Sequence, residues 1–152
     1  MPHNGAMSRA FFEQVVEALV GFLPPERRGF SWRVSGRNAK LWFGDETKEH
    51  YEVQLVRHDG AVVLEVGFHA EHSDAASNEA AIARILAAEG DWRPALGEEV
   101  QIGRFLGHAG PWRRASETWD DGDLDLTDPG AAIDAADRLS GYITAFEDAR
   151  GA

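Results

Sequence analysis

Apolar and polar residues alternate along two runs, EHYEVQLVRH and AVVLEVGFH, on either side of Asp59-Gly60. Alternation at period two marks half-buried strands, and Asp-Gly tolerates the positive φ that a two-residue hairpin turn requires. Such a turn fixes the register: Val56 faces Val63, Gln54 faces Glu65, and His50 faces His69. One face then carries Tyr51, Val53 and Leu55 against Val62, Leu64, Val66 and Phe68. The other carries His50, Glu52, Gln54, Glu65 and His69, with Val56 and Val63 nearer the turn.

Upstream, Phe11, Phe12, Val15, Val16, Leu19, Phe22 and Leu23 recur at spacings of three and four, which predicts a helix capped by Ser8 and ended by Pro24-Pro25. Residues 1–7 read as a disordered lead-in and 8–152 as one domain. Phe30, Trp32 and Val34 alternate with polar neighbours, and Leu41 and Phe43 return after a turn at residues 36–38, giving two strands before the hairpin. A second helix over 75–89, capped by Ser73 or Asp74, points Ala81, Ile82, Ile85 and Leu86 inward, with Gly90 as its left-handed stop. Trp92 and Pro94 fall in the loop beyond. Val100, Ile102 and Leu106 alternate as a fifth strand, and 112–119 forms a sixth. Asp128-Pro129 opens a last helix that buries Ile133, Ala136, Leu139, Ile143 and Phe146.

The order α-ββββ-α-ββ-α implies an α+β fold: a four-stranded antiparallel meander plus two further strands, with three amphipathic helices mainly on one face. The helices should cover Phe30, Trp32, Val34, Leu41, Phe43 and the apolar face of the hairpin. Arg33, Lys40, Trp42 and the polar hairpin face should remain open.

Composition narrows the function more than the fold. The chain has 152 residues, no cysteine and a net charge of −11, with 13 Arg and 2 Lys among its 15 cations. Without thiols there is no disulfide, cysteine nucleophile or thiolate metal site. The negative charge repels phosphate backbones, so nucleic-acid binding is not expected and a basic protein partner is favoured. No targeting leader or membrane-spanning run is visible, and the expected setting is cytoplasmic.

Two clusters carry candidate metal chemistry. His50, Glu65, His69, Glu71 and His72 are ligand types for zinc or another divalent ion, and the register brings His50 and His69 to one face. The spacing HAEH matches neither zinc-protease signature, a directly opposed pair of this kind is about 5.5 Å apart at Cα, and His69 and His72 point to opposite faces of a strand. The aspartates at 121, 123, 125 and 128 resemble a calcium loop, but Leu126 stands where that loop needs Gly and Ala132 where it needs Glu. No serine sits in a nucleophile elbow, and the glycines match no phosphate-binding loop. No catalytic residue is assigned.

In element order, the meander through residues 30–69, the helix through Ile82, Ile85 and Leu86, and the last helix through Ile143 and Phe146 resemble type III secretion chaperone-like domains. The segment from Glu65 through Trp92 to Trp119 also resembles an uncharacterised domain found beside predicted restriction-type nucleases. The first resemblance implies a non-enzymatic, often dimeric, protein-binding module; the chain is expected to serve in a chaperone-like, regulatory or immunity-type role, and no cofactor is expected. The resemblance carries over no site residues; from the sheet pattern, the contact surface is expected at Arg33, Trp42, Val56 and Val63 on the open face, with Trp92 as an exposed anchor. The competing expectation is a divalent-metal hydrolase or lyase with His50, His69 and His72 as ligands and Glu65 or Glu71 as general base.

Overall fold

A computed structural model describes residues 5–119 and 124–151, without the side chains of 5–7. The chain runs α1 (Gly5–Phe22), a 3-10 turn (Pro25–Arg27), β1 (Ser31–Val34), β2 (Asn38–Trp42), β3 (Glu49–His58), β4 (Ala61–Ala70), α2 (Ala75–Ala87), α3 (Glu89–Leu96), β5 (Gln101–Arg104), β6 (Arg113–Trp119) and α4 (Pro129–Gly151). The strands form one six-stranded antiparallel sheet in the order β1-β2-β3-β4-β6-β5. The fold is α+β, with four α-helices among the described residues where the sequence suggested three.

The central hairpin has the expected register, with His50 opposite His69 and Val56 opposite Val63. Asp59 (φ 52°) and Gly60 (φ 81°) both take the positive dihedrals of the tight turn. Tyr51, Val53, Leu64, Val66 and Phe68 are buried against α1 and α4, with Phe11, Leu19, Tyr142 and Phe146 from the helices. Asp74 caps α2 by accepting from Ser77 N at 2.9 Å, and Asp128 accepts from Gly130 N at 3.0 Å at the start of α4.

The extra helix arises where Gly90 was expected to stop the chain. Gly90 lies inside α3, and the positive φ that ends the helical stretch belongs to Gly97, at 92°. The break falls instead at Ala88. There the Trp92 indole N–H donates at 2.8 Å to the carbonyl of Ile85, which also accepts from the Ala88 N–H at 3.1 Å. Trp92 is thus a buried helix residue, 2% exposed, and not an exposed loop anchor.

Other departures follow from rotation about the helices. Ile133 is exposed because the buried stripe of α4 runs through Ala132, Ala135, Ala136, Leu139, Tyr142, Ile143 and Phe146, one position away. Leu86 and Phe22 are likewise outside the stripes of α2 and α1 and are exposed. Helix α1 starts at Gly5, so Ser8 is a buried residue within it and not its cap. Trp32 is 54% exposed because β1 is an edge strand, in which Val34 alone is buried. Strand β5 ends at Arg104, leaving Phe105 and Leu106 in the following segment. No helix among the described residues is long and apolar enough to cross a membrane.

Candidate metal centre

Two His-x-Glu triplets, His50-Tyr51-Glu52 on β3 and His69-Ala70-Glu71 at the end of β4, lie antiparallel with histidine opposite histidine. Alternation sends His and Glu of each triplet to the same face of the sheet, away from the helices. The Glu71 N–H donates to Lys48 O at 2.7 Å, which continues the pairing one residue beyond β4 and holds Glu71 on the face of His69.

Four atoms converge there. His50 Nε2 is 3.0 Å from Glu52 Oε1 and 3.1 Å from Glu71 Oε2; His69 Nδ1 is 3.0 Å and 3.4 Å from the same two oxygens. All four donor atoms fall within 4.8 Å of one another. A tetrahedral ion with bonds of 2.0–2.1 Å has ligand atoms about 3.3 Å apart, so nitrogen–oxygen edges of this length suit a zinc-sized cation.

The rear nitrogens of both rings are fixed. His50 Nδ1 donates to the Thr47 carbonyl at 2.9 Å, and His69 Nε2 faces Glu65 Oε2 at 3.0 Å. A carbonyl can only accept, so the His50 proton is on Nδ1 and, in the neutral ring, the Nε2 lone pair points inward. Glu65 does the same for the other tautomer of His69. A carboxylate or carbonyl behind each imidazole is the usual support of metal-bound histidine. Glu65 is itself held by Gln54 Nε2 at 2.6 Å and Ser116 Oγ at 2.5 Å, and Arg114 Nη1 donates to that hydroxyl at 2.8 Å. Asn38 Nδ2 donates to the outer oxygen of Glu52 at 2.8 Å.

The electrostatics are severe. His50, Glu52, Glu65 and His69 are buried, and Lys40 Nζ comes within 3.7 Å of Glu71. Burial raises the carboxyl pKa of Glu52, but hydrogen bonds from His50 and His69 hold it well below the usual carboxylate range. Glu65 and Glu71 are likewise pushed up by burial and brought down to about 2 by the neighbouring imidazoles. Burial would lower the His69 pKa, yet Glu65 and Glu52 raise it well above its ordinary value. Carboxylates buried this way need compensating positive charge, supplied either by protons on the rings or by a cation between them.

The sequence placed His50, Glu65, His69, Glu71 and His72 together. The structure keeps His50, His69 and Glu71 at the centre, moves Glu65 behind His69, and takes His72 away. His72 Nε2 meets Glu49 Oε2 at 2.8 Å, and Glu49 also binds Arg84 and Arg150. Glu52 is the member of the cluster that sequence reasoning missed. The signal was the repeated His-x-Glu, whose alternation puts each glutamate beside its histidine on opposite sides of the histidine pair.

The β3–β4 part of this face is covered. The segment 105–112 folds over it: the Phe105 ring is 4.4 Å from His69, and Trp112 packs on Phe105 at 5.2 Å and stacks with His108 at 3.9 Å. Its Gly107 lies beside Val56. Val63 is 3% exposed, which removes it, with the buried Trp92, from any contact surface; Trp42 and Val56 are half-buried and Arg33 is exposed. Of the suggested calcium loop, residues 121 and 123 lie outside the described residues, Asp125 accepts from Thr127, and Asp128 caps α4.

Comparison with protein-family models, curated proteins and solved structures gave no match. The likeness to the chaperone-like domains therefore rests on element order alone.

Proposed function

We propose that the chain binds one divalent cation through His50 Nε2, Glu52 Oε1, His69 Nδ1 and Glu71 Oε2, and that the ion joins β3 to the end of β4. The observation that carries this reading is the pair of rear hydrogen bonds, to Thr47 O and Glu65, which aim both imidazoles at the same two carboxylate oxygens. Two imidazole nitrogens and two carboxylate oxygens favour zinc, with manganese and ferrous iron as weaker competitors.

Four protein ligands in a buried site favour a structural ion over a hydrolytic one, because catalytic zinc keeps a position for water. Glu71 would be engaged as a ligand, and Glu65 is fully buried behind His69, so neither is placed as a general base. At the edge of the cluster the Glu71 and Lys40 side chains are 12% and 19% exposed.

The test is metal analysis of untagged protein purified without chelator, followed by titration of the chelator-treated form. One equivalent of zinc is expected, together with intense visible bands on cobalt substitution, as a four-coordinate site gives. Zinc at a hundred times its dissociation constant should add about 2.7 kcal/mol of stability, or about 5–10 °C in Tm. Glu71→Gln, at the most accessible ligand, should lower zinc affinity at least about tenfold with the fold retained. Absence of stoichiometric metal, with no Tm change on adding zinc, manganese or ferrous iron, would overturn the proposal.

A further inference from the structure

On the other side of the sheet, a groove of about 1340 Å³ runs between α4 and the α2–α3 pair. Along α4 it follows Asp134, Asp137, Gly141, Thr144 and Asp148, positions three or four residues apart that form one helical stripe about 21 Å long. Arg84, Ala87, Asp91 and Ala95 form the facing stripe, and half-buried Trp119 with Ala88 and Ala145 gives apolar surface between them, over the buried Trp92 and Leu96. Most small-molecule sites enclose roughly 300–1,000 Å³. An elongated groove with small residues on its walls and an apolar base has instead the shape that accepts a helix.

Its charge selects the occupant. The two arginines of the groove are engaged internally: Arg84 Nη2 with Glu49 at 2.9 Å, and Arg138 with Glu117 at 2.6 Å and the Leu96 carbonyl. Asp148 pairs with Arg27, whereas Asp91, Asp134 and Asp137 have no ion-pair partner among the described residues. The rim is therefore negative around an apolar base. A second copy of this chain, at net charge −11, would be repelled. We infer that the α2–α3/α4 groove docks an amphipathic helix of a partner protein, with an apolar face and flanking lysines or arginines. This inference is independent of the metal reading.

The probe is a dye-labelled helical peptide of about 15 residues, matching the stripe at about 1.5 Å per residue, with leucine on one face and lysine on the other. Fluorescence anisotropy on the full chain should show saturable binding. A Leu/Glu peptide of the same pattern and a Lys/Ser/Gly peptide of the same charge should bind at least about tenfold more weakly. Two double variants test the location. Ala95→Trp with Thr144→Trp fills the groove from exposed positions, and Asp134→Lys with Asp137→Lys reverses its rim. Each should weaken the Leu/Lys peptide about tenfold or more, the second keeping the test valid should the first fail to fold. The inference is overturned by no saturable binding, by equal binding of the Lys/Ser/Gly peptide, or by unchanged binding in a folded variant. Concentration-dependent self-association that the rim reversal leaves intact and the filled groove abolishes would also overturn it, naming a second copy as the occupant.

Discussion

At His69 both ring nitrogens face carboxylates, Glu65 on one side and Glu52 with Glu71 on the other. With a cation at the centre the ring is neutral, its Nε2 proton held by Glu65, and the carboxylate behind it makes Nδ1 a better donor. Glu65→Gln keeps the size of the side chain and removes that charge. Zinc affinity, measured by competition with a chelating dye, should fall about 10–100-fold while the circular dichroism spectrum is unchanged. An unchanged affinity would mean that Glu65 serves only to fill the sheet face. The histidines were readable from the sequence because turn chemistry fixed the register and the register fixed their face. Glu52 was on that same face but was left out of the ligand set. The spacing of about 5.5 Å for an opposed pair weighed against a site, whereas here it leaves room for both glutamates to reach between the rings.

Among the elements, the α2–α3 junction shows where local signals run out. Gly90 and Gly97 both follow helical sequence, and no local rule distinguishes them. The choice is tertiary. Trp92 packs edge-on against Phe146 at 5.3 Å, Arg93 covers its ring at 4.6 Å, and its N–H reaches Ile85 O, so the chain resumes a helix with Gly90 inside it. Pro94 is tolerated in that short helix because the carbonyl its missing N–H would have met belongs to exposed Gly90. Trp92→Phe retains an aromatic ring and removes the donor. The lost hydrogen bond should cost about 0.5–1.5 kcal/mol in urea unfolding, the range for one such bond, since the Ile85 carbonyl keeps its bond from the Ala88 N–H. A cost below about 0.5 kcal/mol, as for a surface residue, would sink the idea that the Trp92 bond to Ile85 helps fix the α2–α3 junction.

For the molecule as a whole, the sheet order joins the four-stranded meander to the β5–β6 hairpin through β4 and β6 alone. Element types and hairpin register were legible because they follow from period and turn residues. The closure of the far face was not, since 105–112 carries the composition of a turn and its position over His69 depends on β6 lying between β4 and β5. Gly67 sits at the joint. It faces Glu52 on one side and Ser116 on the other, its φ is 153°, and a Cβ there would lie 2.6 Å from the Ser116 Cα and the Ala115 carbonyl oxygen. Those contacts are with backbone, so Gly67→Ala must push β6 away from β4 or twist β4 itself. Ser116 is also the residue that bonds Glu65, which in turn orients His69. Two effects should therefore appear together in Gly67→Ala: a loss of about 2 kcal/mol or more in the denaturation free energy, and weaker zinc binding with all four ligands still present. Loss of stability with full zinc affinity would separate the strand joint from the metal centre, and show that the Ser116–Glu65–His69 chain does not transmit the position of β6 to the ion.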